Sequence, residues 1–272
     1  MRREFFIALL TIAFFMNPAG DASAEEQSVC MSREPAISIP GCTEDINSGK
    51  LSGADLAWTF GLRGAQYHTT GKLDLALSDY SAAIHIDPSN ALMFAMRGRI
   101  HEERENFGQA LDDYNAAIKL DSKDPTFFIL RGGLHDLKRD FQAGLADFST
   151  AIILAPDHPE AHNGRCWLRA TFGRELPEAL DDCNNAIKII SDDPDFLDSR
   201  GFVYFRMRRY DDAIADYNAA LKIAPQKAHS LFGRGLAKLG KGDQAGSAAD
   251  IAAAKAINAD IAARYESYGV RP

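Results

Sequence analysis

The sequence predicts an all-α solenoid of antiparallel helix hairpins, stacked one after another along the chain. Three observations carry that expectation. An arginine followed by a small residue recurs as Arg63-Gly64, Arg97-Gly98, Arg131-Gly132, Arg165-Cys166, Arg200-Gly201 and Arg234-Gly235, at intervals of 34, 34, 34, 35 and 34 residues. Aspartates follow in phase at Asp79, Asp113, Asp147, Asp182, Asp216 and Asp250, each with an alanine four residues later, from Ala83 to Ala254. Within each period apolar residues recur at three- and four-residue spacing, as in YSAAIHI and YNAAIKL, the pattern of helices that bury one face. A hairpin of this kind cannot bury its faces alone, so neighbours must stack.

The first residues read as an export signal. Arg2 and Arg3 give a basic start, Phe5 to Met16 is an almost unbroken apolar run, and Asn17, Pro18 and Gly20 break it. That run is near the length of a signal-peptide core and short for a transmembrane helix. Ala22-Ser23-Ala24 supplies small residues for cleavage after Ala24, so residues 1–24 are expected to be removed. An uncleaved anchor is the alternative, and the general secretory route is favoured over a twin-arginine one. The mature protein is expected in the periplasm or outside the cell, with no stable membrane insertion.

Residues 25–56 are less regular and are read as a degenerate capping hairpin. Six repeats follow, at 57–90, 91–124, 125–158, 159–193, 194–227 and 228–261. The extra residue of the fourth lies between Gly173 and Pro177, in the turn between its helices, where it leaves helix register intact. Turn signals such as Gly71-Lys72 and Asp87-Pro88-Ser89 separate the helices. Residues 262–272 extend the last helix and then fray, with Tyr265 and Tyr268 expected to cover the exposed end of the stack.

A period of 34 with these small-residue columns resembles the tetratricopeptide repeat. The likeness covers roughly residues 57–261. Its first-helix glycine falls at Gly64, Gly98, Gly132, Gly201 and Gly235, and its second-helix alanine at Ala76, Ala110, Ala179 and Ala213. The aromatic expected three residues after the glycine is present only as Tyr67 and Tyr204. The resemblance implies a right-handed superhelical solenoid whose first helices line a concave groove. It also implies a protein-interaction module, since the fold serves many partners. The groove positions fall on Trp58, Arg99, Glu102, Asn163, Trp167, Phe202, Phe205, Arg206 and Phe232, with Ala65, His68, Ala95, Glu103, Ile129, Gly133, Asp136, Ala170, Asp198, Leu236 and Leu239 beside them. The aromatics gather in the last three repeats, so the contact surface is expected there. The alternative is that those rings pack between neighbouring first helices. The Lys, Asn and Arg carboxylate clamp of chaperone-binding members is not evident.

The arginine and aspartate columns admit two readings: a ladder for anionic ligands, or ion pairs Arg63–Asp79, Arg97–Asp113, Arg131–Asp147, Arg165–Asp182, Arg200–Asp216 and Arg234–Asp250 that tie the stack. The matched periods favour the ion pairs. Four cysteines in an exported chain suggest disulfides. Cys166 and Cys183 take positions that oppose each other across the resembled hairpin. Cys30 and Cys42 flank a short, turn-rich stretch with Pro35, Pro40 and Gly41.

A net charge of -8 argues against a nucleic-acid surface. No catalytic residue, metal site or cofactor is expected. His158 and His162 are four apart but read as a solvated pair, and no HExxH, GxSxG or phosphate-cradling loop stands out. The expected function is a non-enzymatic scaffold of the cell envelope that holds a protein or peptide. The alternatives are an activity using groove histidines and carboxylates, or a self-assembling structural module.

Overall fold

The computed structural model describes residues 29–271, so the expected export signal at 1–24 lies outside the described residues. Among them are fourteen α-helices and no strand. The chain forms two compact units that meet between Leu134 and His135, inside a helix.

The N-terminal unit begins with a 3-10 turn, Val29–Met31, followed by α1 (Pro35–Asn47), α2 (Gly53–Thr69), α3 (Leu73–Ile86), α4 (Ala91–Glu103), α5 (Phe107–Leu120) and most of α6 (Pro125–Leu137). The stretch read as turn-rich is helix α1, with Pro40 inside it. Proline is tolerated there because it sits just past the first turn of a short helix, where few intrahelical bonds are lost. Helix α2 pairs with α3 and α4 with α5, while α3 also packs on α4. The core between them contains Ala57, Tyr80, Met93, Met96, Tyr114 and Phe127.

The C-terminal unit takes the end of α6, then α7 (Phe141–Leu154), α8 (Pro159–Phe172), α9 (Leu176–Ile189), α10 (Pro194–Arg206), α11 (Tyr210–Ile223), α12 (Ala228–Gly240), α13 (Gln244–Ile257) and the short α14 (Ile261–Ser267). Helix α8 pairs with α9, α10 with α11 and α12 with α13, and each second helix touches the next first helix. Proline at the first turn starts α8, α9 and α10, where its missing N–H costs nothing.

The small-residue column works by close approach. A Cβ on Gly98 would stand 2.8 Å from the Tyr114 ring, and one on Gly233 only 2.4 Å from that of Tyr217. Tyr114 and Tyr217 are fully buried. The second-helix aromatic thus fills the space that glycine vacates on its own first helix and, for Tyr217, on the next one as well.

The turn inside each hairpin needs a left-handed residue. Gly71 and Gly242 supply it at φ 73° and 86°, but Glu105, Arg139 and Arg208 adopt it at 61°, 60° and 60°. In the fourth repeat two residues do so, Gly173 and Glu175, flanking the inserted Arg174.

Candidate partner-binding faces

The arginine and aspartate columns meet as two-pronged pairs. Arg63 Nε and Nη2 each donate to Asp79 at 2.8 Å, and the same fork joins Arg97 to Asp113, Arg165 to Asp182, Arg200 to Asp216 and Arg234 to Asp250 at 2.7–2.9 Å. The hydrogen bonds that Arg63 donates to Asp79 hold its guanidinium above the ordinary range, against the opposing effect of burial. Burial pushes the Asp182 carboxyl upward, yet bonds from His162 and Arg165 outweigh it and leave that carboxyl below its usual value. Asp147 faces His135, with Nε2 3.8 Å from Oδ2.

The Nη1 of each arginine does something the sequence reading missed. It reaches back to the preceding second helix: Arg97 to Ser81 at 3.4 Å, Arg131 to Asn115 at 2.7 Å, Arg165 to Ser149 at 3.1 Å, Arg200 to Asn184 at 3.0 Å and Arg234 to Asn218 at 2.7 Å. Arg63 reaches Thr43 of α1 at 3.1 Å in the same way. One guanidinium therefore closes its own hairpin and stitches it to the one before. The signal was a Ser/Asn column directly after each second-helix aromatic, in phase with the repeat.

Both expected disulfides form. Cys30 bonds to Cys42, with Cα atoms 4.4 Å apart, and Cys166 to Cys183, at 5.4 Å. The first joins the 3-10 turn to α1; the second joins α8 to α9 in the glycine–aromatic slot. His158 and His162 turn to separate partners: His158 Nδ1 lies 3.0 Å from Glu160, and His162 Nε2 donates to the Pro156 carbonyl at 2.8 Å. No group of three or more His, Cys, Asp or Glu among the described residues is arranged to hold a metal ion.

The two first-helix faces differ. In the N-terminal unit, Trp58 on α2 and Arg99 and Glu102 on α4 are half-buried. Glu102 accepts a hydrogen bond from the buried Tyr114 hydroxyl at 2.9 Å, and His68 of α2 meets Glu103 of α4 at 2.6 Å. Burial, assisted by the Glu102 carboxylate, raises the Tyr114 hydroxyl well above its usual range. This face mixes an aromatic ring with charged side chains.

In the C-terminal unit the face is closed by the chain itself. Phe202 and Phe232 are 0% exposed and Trp167 8%, with Asn163 buried and Phe205 and Arg206 half-buried. The rings expected to stand open toward a partner do not. Tyr265 of α14 lies 4.7 Å from Phe232 and 5.4 Å from Phe202 between ring centroids. Tyr268 stands edge-on to Trp167 at 5.7 Å. Arg206 Nη1 donates to the Tyr268 carbonyl at 2.8 Å, and the Tyr265 hydroxyl donates to the His229 carbonyl at 3.1 Å. Instead of covering the end of the stack, the two tyrosines run across α12, α10 and α8. The reason is composition: a wall of four aromatic rings has more apolar area to bury than α13 alone presents at the end. The first-helix aromatics of the C-terminal unit are thus covered by the chain's own C-terminal segment.

Beneath the tyrosines lies a buried polar patch. Asp198 accepts from Ser230 and is raised to about 6 by burial, an effect that the Lys227 ammonium only partly offsets. His229, also buried, is driven well below its usual range by desolvation and then by Arg264 and Lys227.

Comparison with known proteins gives two family matches, both described as tetratricopeptide repeat, over residues 67–125 and 199–227. No curated protein sequence matches. Among solved structures, the chain resembles the Cut9–Hcn1 hetero-tetramer of APC/C (TM-score 0.70, 17% identity), over 86% of this chain and 48% of that one. It thus spans about half the length of that relative. A tetratricopeptide repeat protein from Parabacteroides merdae ATCC 43184 gives a TM-score of 0.69 at 19% identity, covering 87% and 93% of the two chains. YrrB, a tetratricopeptide repeat protein with an unusual peptide-binding site, gives a TM-score of 0.51 at 20% identity, covering 71% and 97% of the two chains. At such identities the likeness is one of fold.

Proposed function

We propose, from the premise that this chain is a tetratricopeptide repeat protein, that it is a scaffold of the cell envelope that holds a protein or peptide against its first helices. Members of this family are generally non-enzymatic scaffolds. The observation that carries the reading is the mixed aromatic and charged first-helix face of the N-terminal unit, where Trp58, Arg99 and Glu102 stand half-buried on α2 and α4. An amphipathic aromatic beside a guanidinium and a carboxylate is the composition of an interface anchor rather than of a solvated helix face. The peptide-binding site of YrrB, similar in fold, favours a peptide-like partner. Two disulfides and the basic, apolar leader favour an oxidising compartment outside the cytoplasm.

The test is site-specific photocrosslinking in cells. A benzoyl-phenylalanine placed at Trp58 or at Arg99 should capture a discrete partner. The same probe at Lys119, exposed on second helix α5, should not. Equal capture at all three positions, or none at Trp58 and Arg99, would reject the reading. Fractionation of the same cells tests the compartment: recovery in the cytoplasm with reduced cysteines would reject the envelope assignment.

A further inference from the structure

The face of α8, α10 and α12 already carries a peptide-like occupant, the segment 261–270 of its own chain. That segment is held as a ligand is held. Two aromatic side chains three residues apart enter the wall of Trp167, Phe202 and Phe232. A guanidinium grips the backbone of the occupant, Arg206 to the Tyr268 carbonyl at 2.8 Å. Arg264 Nε donates to the Tyr268 hydroxyl at 2.9 Å and fixes the second ring relative to the helix. The segment is also the least anchored helix of the unit. Helix α14 has seven residues and follows a turn at Asn258–Asp260. A short element of this kind opens at a lower free energy than the longer stacked hairpins beneath it.

We infer that this face is a second peptide site, shut in cis, whose external ligand is a short helical segment with two aromatic side chains three residues apart. Residues at i and i+3 share one helix face, so a partner bearing such a pair presents the two rings as Tyr265 and Tyr268 do. The partner competes with segment 261–270, and its apparent affinity is lowered by the fraction of time the segment is seated. The inference rests on the proposal that first-helix faces bind peptides. It adds which chemistry the C-terminal unit selects and what keeps that unit silent.

The experiment uses the full chain, with a fluorescein-labelled peptide of sequence IAARYESYGV, residues 261–270, as the probe. The wild-type chain should bind it weakly. The double variant Tyr265→Ala with Tyr268→Ala should bind it roughly tenfold or more tightly, because its own segment no longer competes. A probe with alanine at both tyrosines should bind neither protein. A folded double variant that binds no better than wild type overturns the inference, as does a wild type that binds equally well. So does wild-type protein running as a dimer that exchanges segments. Tyr265 is fully buried, so the milder Tyr268→Ala with Val270→Ala serves if the double variant does not fold, with an expected gain of about threefold. Hydrogen exchange on the wild type is a second readout needing no variant. Amides of 262–268 should exchange about a hundredfold or more faster than those of α12, as expected of local opening. Equal protection would mean the segment leaves only on global unfolding and would overturn the inference. Loss of crosslinking at Trp58 and Arg99 leaves these readouts untouched, so failure of the general reading is told apart from failure of this one.

Discussion

Arg200 donates to Asn184, a residue of the preceding hairpin, at 3.0 Å, while its other two nitrogens fork onto Asp216 of its own. The two halves of that contact differ in worth. Asp216 is buried and Asn184 exposed. Removing a buried carboxylate strands a guanidinium held 22% exposed, and breaking such a pair costs about 3–5 kcal/mol at full burial. Asp216→Ala is therefore expected to lower stability by roughly 2–4 kcal/mol, and Asn184→Ala by about 0.5 kcal/mol. Urea unfolding followed by far-UV circular dichroism separates them; equal losses would mean the stitch to the neighbour matters as much as the fork.

The αL positions predict a gain. Glu105 sits at φ 61° on an exposed turn. An L residue there costs about 1–2 kcal/mol, against roughly 0.5–1 kcal/mol of backbone freedom that glycine loses on folding. Glu105→Gly should stabilise the chain by about 0.5–1 kcal/mol, read as a higher urea midpoint at unchanged slope. A lower midpoint would show that the Glu105 side chain has a role in the turn.

The two disulfides should differ in reach. Cys166 and Cys183 close 17 residues in the middle of the C-terminal unit, a loop worth about 3 kcal/mol. The double substitution Cys166→Ala with Cys183→Ala should lower the unfolding midpoint of the whole C-terminal unit. Cys30→Ala with Cys42→Ala should loosen α1 and leave the C-terminal unit unchanged, because neighbours in a stack couple only locally. Hydrogen exchange resolved by helix checks both.

Asp198 gives a pH dependence. Its carboxyl titrates at about 6 in the fold against 3.8 when unfolded. Between those values the unfolded chain has released the proton and the folded chain retains it. Stability therefore falls as pH rises through that window, and the penalty is complete above about 6. Asp198→Asn removes the penalty. The variant should gain on the order of 2 kcal/mol over wild type at pH 7, with the gain gone near pH 3.5. A pH-independent difference would mean the carboxyl does not titrate in that window.

The hairpins were legible because their determinants are local and recur in phase. Arg97, Gly98 and Asp113 each have equivalents one period away, so the pairing of Arg97 with Asp113 and the close approach at Gly98 follow from spacing. The Ser81 and Asn115 column recurs just as regularly, yet a lone polar residue on a helix is also what a solvated surface displays. Only coordinates show the guanidinium reaching it. Tyr265 and Tyr268 belong to no column. Their partners Trp167 and Phe202 lie 101 residues before Tyr268 and 63 before Tyr265, and no periodicity relates them. Composition alone therefore left the wall either open or packed between first helices, and placed the tyrosines over the end of the stack. Helix α1 was misjudged for a local reason: Pro35, Pro40 and Gly41 are turn residues by habit, and here Ser38 secures the start of the helix by donating to the Cys30 carbonyl at 2.6 Å.

The bond between Cys166 and Cys183 also has a mechanical consequence. An array pulled from its ends extends as hairpins peel away, each releasing its full contour. The bridge keeps 17 residues of the fourth repeat out of that contour, about 55–60 Å at full extension. In a single-molecule stretch the fourth repeat would give a shorter step than its neighbours, and reductant would lengthen that one step alone.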